Sequence, residues 1–415
     1  MRIGLISQWY PPENTFVPGQ LAGELARRGH EVRVLTTFPS LPLGRTYPGW
    51  RQRWNHHDTD GPVAVRRVPA YPSHDRSGLR RAVSYLSFAA TSALAAPRHL
   101  RDVDALYVYH PPPTSYAAAG LLRLLRGVPA VLHVQDLWPE SVTQSGMAPA
   151  GLAGRALDAV LTGAMRRIYH SCAGIAVIAP AMAEQVVERG VDPGSVRTVF
   201  NWTDEALFRP VPCTDAARTA IGHRGRVTVM FAGNLGLLQG VDVAIRAAAA
   251  APDAVDLVFV GTGLGAEQAR KLADALGAAN VRFLGRRPAA EMAALYAAAD
   301  YQLVMLRDLP WLRGTVPSKL QAALACGVPV LMSADGDAAR LVGAAGAGLV
   351  CPPDDWRALA DQFVAAAGVP AEQRLAMGRR GRQLYLDRMS MRVGVDQIED
   401  MLSKAAARGR GRRPA

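Results

Sequence analysis

Residues 227–250 read VTVMFAGNLGLLQGVDVAIRAAAA: a short β-branched apolar run, a turn punctuated by Gly233, Gly236 and Gly240, then an alanine-rich helical stretch. A strand that ends in glycines and passes straight into a helix is the first half of a βαβ unit, whose next strand lies parallel to the first. The order repeats downstream. LVFVG (257–261) precedes a helix-like 266–275, VRFLG (281–285) precedes 289–298, and YQLVM (301–305) precedes 318–326; VPVLM (328–332) and a short strand at 348–350 follow. Helical segments at about 356–367 and 371–404 end this half. Upstream, candidate strands at 3–7, 32–36, 63–68, 105–109, 130–134 and 174–178 alternate with helix-like stretches at 19–28, 113–126, 152–170 and 181–189. Between the halves, residues 200–226 contain two prolines and no sustained period, and read as a linker. The expected fold class is α/β: two Rossmann-like, doubly wound domains, 1–203 and 204–384, with a cleft between their carboxyl edges and a disordered basic tail at 405–415.

The length agrees, since 415 residues exceed the ~250–300 that one core holds. Apolar residues at 49% and charged residues at 20% are a globular balance. The net charge of +12 is concentrated in residues 1–100, with 13 bases against 6 acids, and in 301–415, with 16 against 11. Such an excess suits a phosphorylated substrate or an anionic membrane surface, or serves only as a solubilising surface. The scatter of arginines lacks the clustered bases and interleaved aromatics of a nucleic-acid binder. Cys172, Cys213, Cys326 and Cys351 are too dispersed for a zinc module or a disulfide framework. The opening MRIGLISQWYPP turns polar too soon for a secretory signal, and no stretch reaches the ~18–20 apolar residues that span a bilayer. The expected location is cytoplasmic, with peripheral contact at the inner face of a membrane. Residues 79–101 form a helix-length apolar run flanked by Arg80, Arg81, Arg98 and Arg101, suited either to a bilayer interface or to burial in the domain.

Three motifs carry the chemistry in the second half. In GNLGLLQG (233–240), the backbone of Gly233, Asn234, Leu235 and Gly236 can approach an anion at a helix start and Gln239 can donate to it; an ordinary tight turn explains the same letters. VGTGLG (260–265), with Gly261, has the spacing G-x-G-x-G, which argues against a dinucleotide fingerprint. In TVPSKLQAALACGVPVLM (315–332), Pro317 leads into a helix with Ser318 as its cap and Lys319 in its first turn. Only three of the 47 bases are lysine, and one in a first turn opposes the helix dipole unless an anion compensates. In the first half, HVQDLWPES (133–141) leaves a strand end with Asp136 and Glu140, either of which can orient an acceptor hydroxyl or merely cap the turn. His110 sits at another strand end, where a structural role competes with binding.

These motifs, with WYPPEN (9–14) and LARRGHEVRVLTTFPSLPLG (25–44), resemble the GT-B glycosyltransferases of family 4, and within them the WbuB-like branch. The resemblance covers about residues 1–350. It implies two Rossmann-like domains, a nucleotide-diphosphate sugar donor bound mainly by the second and an acceptor bound mainly by the first. It also implies a retaining, metal-independent reaction without a cofactor, and a last helix (385–404) that returns to the first domain. Relatives act in surface polysaccharide synthesis on glycan or polyprenyl-linked acceptors. The donor residues it implies are Gly233, Asn234, Leu235, Gly236, Gln239, Gly261, Arg286, Arg313, Pro317, Ser318, Lys319, Asp335 and Asp337. The acceptor residues are Tyr10, Asn14, Gly19, His110, Gln135 and Asp136; Asp136, Glu140 and Lys319 are expected to be catalytic. The family's two glutamates spaced E-x7-E fall here on Gly314 and Ala322, with Asp335 and Asp337 as candidates to replace one function; the donor loop's usual Arg and Lys are Asn234 and Gln239, with Arg307 or Arg313 as candidates to restore the positive charge. A silent partner subunit and a sugar-nucleotide epimerase on the same fold are the competing readings.

Overall fold

The computed structural model describes residues 1–13, 15–74, 77–143 and 151–410. They form two compact units, one of Met1–Phe200 joined by the chain from Gly394 onward, the other of Asn201–Val393.

The first unit is built on an eight-stranded sheet of β1 (Arg2–Ile6), β2 (Glu31–Thr37), β3 (His56–Asp60), β4 (Val63–Val68), β5 (Ala105–His110), β6 (Ala130–Val134), β7 (Gly174–Val177) and β8 (Val196–Thr198). Their spatial order is β3-β4-β2-β1-β5-β6-β7-β8, all parallel except β3, which runs antiparallel to β4. β5 (ALYVYH) and β6 (AVLHV) are buried along their whole length, as central strands covered on both faces must be. The sequence pattern offers no sign of β3: HHDTD holds the edge through pairing alone. The switch in strand order lies between β1 and β5, so ligands are expected at the carboxyl ends of that pair.

The helix Met391–Arg410 packs against this unit through Val395, Ile398 and Leu402, all fully buried. Its charged side pairs Glu399 with Arg28 (2.6 Å) and His30 (2.7 Å), and Asp400 with Arg197 (2.8 Å). Residues 405–410 are therefore helical rather than part of a disordered tail, because Ala405 and Ala406 are buried in the same seam.

The second unit is a six-stranded parallel sheet of β9 (Val227–Ala232), β10 (Val255–Val260), β11 (Val281–Gly285), β12 (Tyr301–Met305), β13 (Val330–Ser333) and β14 (Gly348–Cys351). The order β11-β10-β9-β12-β13-β14 is the dinucleotide-fold order, with its switch between β9 and β12. Phe231, Phe259 and Phe283 line up across three neighbouring strands with centroids 5.5 and 5.0 Å apart. Phe231 and Phe259 are fully buried and each contributes roughly 1.5–3 kcal/mol, while Phe283 is half-buried. The stretch read as a linker is more ordered than expected: Trp202 is buried, and Thr214 caps the helix Asp215–Ile221 by accepting from the Ala217 amide at 3.1 Å. The segment 371–404, read as one helix, is broken at Met389 into Ala371–Arg388 and Met391–Arg410. Glu205 fixes the break by accepting from the Tyr385 hydroxyl (2.9 Å) and the Met391 amide (2.8 Å).

Candidate functional site

Two loops and one helix meet at the carboxyl edge of the second sheet, where β9 and β12 part. After β9 the chain turns at Gly233, whose amide donates to the Val260 carbonyl at 2.9 Å, while the Leu235 amide donates to Thr262 at 2.9 Å. The loop after β10 lies directly on this backbone. A Cβ on Gly261 would stand 1.9 Å from the Gly233 carbonyl oxygen, and one on Gly263 would stand 2.5 Å from the side-chain oxygen of Asn234. Glycine is required at 261 for that approach and for its φ of 140°. Leu235 is core, so only its backbone is available to a ligand, whereas Gly233 and Asn234 are exposed.

Lys319 reaches this turn from the helix Ser318–Cys326. Its Nζ donates to Gln239 Oε1 at 2.9 Å and lies 3.7 Å from the centroid of the Phe231 ring. No carboxylate among the described residues pairs with it, and burial lowers its pKa to about 7. The expected Ser318 cap is corrected: Pro317 (φ −67°, ψ 142°) is the N-cap, and no side chain caps the helix. Proline's fixed φ ends the extended loop one residue earlier, leaving Ser318 exposed in the first turn. A half-buried cation and an uncapped helix N-terminus thus share one position, the combination that receives a phosphate.

The neighbouring acids are already engaged. Asp335 pairs with Arg313 at 3.2 Å and accepts from the Gly336 amide at 2.6 Å. Asp337 is buried, accepts from Arg340 at 2.6 Å and donates its own amide to the Arg313 carbonyl at 2.8 Å. Both brace the loop after β12 instead of standing as free substitutes for the missing glutamates. Arg307 bridges Asp242, in the first turn of the helix Val241–Ala250, and Asp354 at 2.7 Å. Asp354 has a φ of 57°, a non-glycine residue in the left-handed region, and its second oxygen accepts from the Asp308 amide at 2.8 Å. Nothing in the sequence signals this brace, which closes over 47 residues. Arg286 is exposed.

The first unit presents a different edge. His110, at the end of β5, is fully buried, and burial lowers its pKa to about 4, so it is neutral. The Gln135 amide donates to its carbonyl at 3.2 Å. His133 is equally buried and neutral, bonded through Nδ1 to the Tyr107 hydroxyl at 2.6 Å; the sequence reading missed it because it lies inside a strand. Asp136 keeps a solvent-facing surface, yet the protein packed around its carboxyl raises its pKa, with the Arg81 charge pulling the other way.

Three expected residues serve the frame instead. Tyr10 is fully buried and donates its hydroxyl to Asp60 at 2.9 Å, because the loop after β1 folds inward. Gly19 packs against Pro11, where a Cβ would lie 2.5 Å from the ring. Glu140 pairs with Arg189 at 2.6 Å, an ion pair that ties the Glu140–Thr143 turn to the following helical layer. Asn14 lies outside the described residues. Glu13, not anticipated, is buried and gathers the amides of Tyr10 (3.0 Å), Ser40 (2.7 Å) and Leu41 (2.7 Å), binding two loops of this edge together. Among the described residues, no group of three His, Cys, Asp or Glu side chains is placed to hold a metal.

Two family models match this chain: a glycosyl transferase 4-like domain over residues 16–202 and glycosyl transferases group 1 over 215–384. WcaI of Escherichia coli (strain K12), a glycosyl transferase whose name places it in colanic acid biosynthesis, is 31% identical over 79% of this chain and 81% of its own length. A D-inositol 3-phosphate glycosyltransferase of Saccharomonospora viridis is 34% identical over 94% of this chain and 89% of its own. In fold, the chain is similar to the sucrose-phosphate synthase of Thermosynechococcus elongatus, with a TM-score of 0.75 at 20% identity over 98% and 100% of the two chains. It is also similar to HepE of Anabaena, solved with UDP, with a TM-score of 0.69 at 17% identity over 97% and 100%. The chain belongs to the GT-B glycosyltransferases of family 4.

Proposed function

We propose that this glycosyltransferase moves a sugar, with retention and without a metal, from a nucleoside-diphosphate donor to a glycan or lipid-linked acceptor in surface polysaccharide synthesis, with uridine as the donor base. The observation that carries the donor side is Lys319, a cation without a counter-ion among the described residues, beside an uncapped helix N-terminus at the switch between β9 and β12. Departure of a nucleoside diphosphate develops negative charge, and donors already in place stabilise it without reorganisation. Lys319, the first amides of the Ser318–Cys326 helix and the 233–236 backbone are those donors. In the first unit, Asp136 orients the acceptor hydroxyl, and the departing phosphate oxygen takes its proton, which leaves no need for a protein nucleophile. The uridine assignment is supported by HepE, whose structures contain UDP and UDP-glucose. The polysaccharide role is supported by the name of WcaI. The relatives named for D-inositol 3-phosphate favour a second acceptor class, a small phosphorylated polyol.

The work is done at the cytoplasmic face of a membrane. No helix among the described residues is long and apolar enough to cross one. The helix Gly78–His99 buries Ser84, Phe88 and Ser92 on one side and exposes Leu79, Val83, Leu86 and Leu94 on the other, an outline suited to lying on lipid.

Calorimetric titration of UDP, GDP, dTDP and NAD into the wild type and Lys319→Ala tests the reading. One nucleoside diphosphate should bind, and the variant should lose at least about tenfold in affinity. Binding of none of them, or equal binding by the variant, removes the donor assignment.

A further inference from the structure

We propose that the first unit carries a second anion site, at the end of its sheet remote from Asp136, that holds a phosphate group of a lipid headgroup or of a soluble phosphoester. A cavity of about 700 Å³ opens there, and its charged lining is Arg33, Arg66, Arg98 and Arg101 with His57 and His99. No acid is part of that lining. Five separate segments supply it: Arg33 from β2, His57 from β3, Arg66 from β4, Arg98 and His99 from the last turn of the helix Gly78–His99, and Arg101 from the loop beyond. That helix ends before β5 begins at Ala105, whereas Asp136 follows the end of β6 at Val134, so in this parallel sheet the two places are at opposite edges.

The four arginines are not neutralised by the protein alike. Arg33 is paired with Glu31, and Arg101 with Asp102 at 2.8 Å. Among the described residues Arg66 has no paired acid and its Nε has no hydrogen-bond partner, although the residue is only 6% exposed. The Trp54 ring lies near it, 6.0 Å from the guanidinium to the ring centroid. Burial lowers its pKa, and the charge of Arg98 lowers it further. His99 feels the same field: burial first, then Arg66, His57 and Arg33, hold its pKa down to about 4, against a bond to the Val34 carbonyl at 3.0 Å.

The adjacent residue in β4 is also buried and its Nε also lacks a hydrogen-bond partner among the described residues, but the rest of its guanidinium is engaged by the protein. Arg67 points to the opposite face, donates to the Thr37 carbonyl at 3.0 Å and the Pro11 carbonyl at 2.6 Å, lies near Asp58 and stacks on Trp50 at 4.8 Å. A buried guanidinium without such partners is costly. A phosphate relieves that cost, since its oxygens accept paired N–H bonds from a guanidinium fork. This inference is independent of the donor site at Lys319.

The test uses the full chain carrying Lys319→Ala, so that phosphate binding by the second unit is weakened and the same in every sample, with and without Arg66→Gln or Arg98→Gln. Inorganic pyrophosphate is titrated calorimetrically, and co-sedimentation is measured with phosphatidylcholine vesicles and with vesicles of equal phosphatidylglycerol and phosphatidylcholine. Tenfold or greater loss of pyrophosphate affinity in both variants, with vesicle binding unchanged, assigns the site to a soluble phosphoester. Loss of binding to the anionic vesicles alone, in the same variants, assigns it to a headgroup. Should Arg66→Gln lower the melting temperature, the exposed Arg98→Gln is read alone. Neither probe binding, or both binding equally well to the arginine variants, overturns the proposal.

Discussion

At its carboxyl edge the second unit offers mostly backbone, and the first offers mostly side chains. The second edge is made of glycine turns pressed within contact of one another, an uncapped helix end and one lysine. The first has two buried neutral imidazoles, an amide and a carboxylate. The same topology therefore carries two chemistries. Convergent N–H groups and a cation match a diphosphate, whose oxygens are all acceptors. A carboxylate beside neutral rings matches sugar hydroxyls, which both donate and accept.

Removing the cation should break the contrast most visibly. Lys319→Ala is expected to lower kcat/KM by about 10²–10³, in the range for losing one preorganised donor to a developing charge. Steady-state transfer assays read it, and a loss confined to KM would mean the lysine only holds the ground state. On the other edge, Asp136→Asn is expected to slow transfer roughly 10²-fold while leaving nucleoside diphosphate affinity unchanged. A variant that transfers at the full rate would leave the first edge without a chemical role.

Gly261→Ala tests whether backbone contact is what the second edge depends on. The added Cβ collides with the Gly233 carbonyl in a left-handed conformation, so urea unfolding should show about 2 kcal/mol lost. Native stability in that variant would show the turn to be plastic.

The smallest effect concerns pH. Lys319 has its pKa lowered by burial from 10.5 to about 7 in the folded chain. Between those values the unfolded chain holds a proton that the folded one has shed, so this group makes folding more favourable as pH rises through that window. Donor binding runs the opposite way, because it needs the protonated amine. Affinity should decline by up to about tenfold per pH unit above 7, with proton uptake on binding measurable in buffers of different ionisation heat. A flat profile from pH 7 to 9 would mean that the diphosphate is held by backbone alone.

Particular residues show how far the chain could be read beforehand. β5 and the 257–260 part of β10 are legible because strands covered on both faces are near-continuous apolar runs. β3 is illegible, since HHDTD owes its conformation to a partner strand. Lys319 stood out through its rarity and its place in a first turn, yet its contact with Gln239 joins positions 80 residues apart. Tyr10 reads like a binding residue and is buried, because its hydroxyl finds Asp60 only after the loops close.

What the sequence by itself determined is the class: alternating apolar runs and amphipathic stretches, glycine turns at strand ends, and one lysine where a helix begins. These are local properties, set by backbone freedom and by which side chains avoid water. Only the tertiary structure decided which polar groups are satisfied. Arg66 and Arg67 are the same residue type in consecutive positions, and the alternation of a strand sends them to opposite faces. One meets carbonyls and an aspartate; the other meets a cavity, because the partners are chosen by segments distant in sequence.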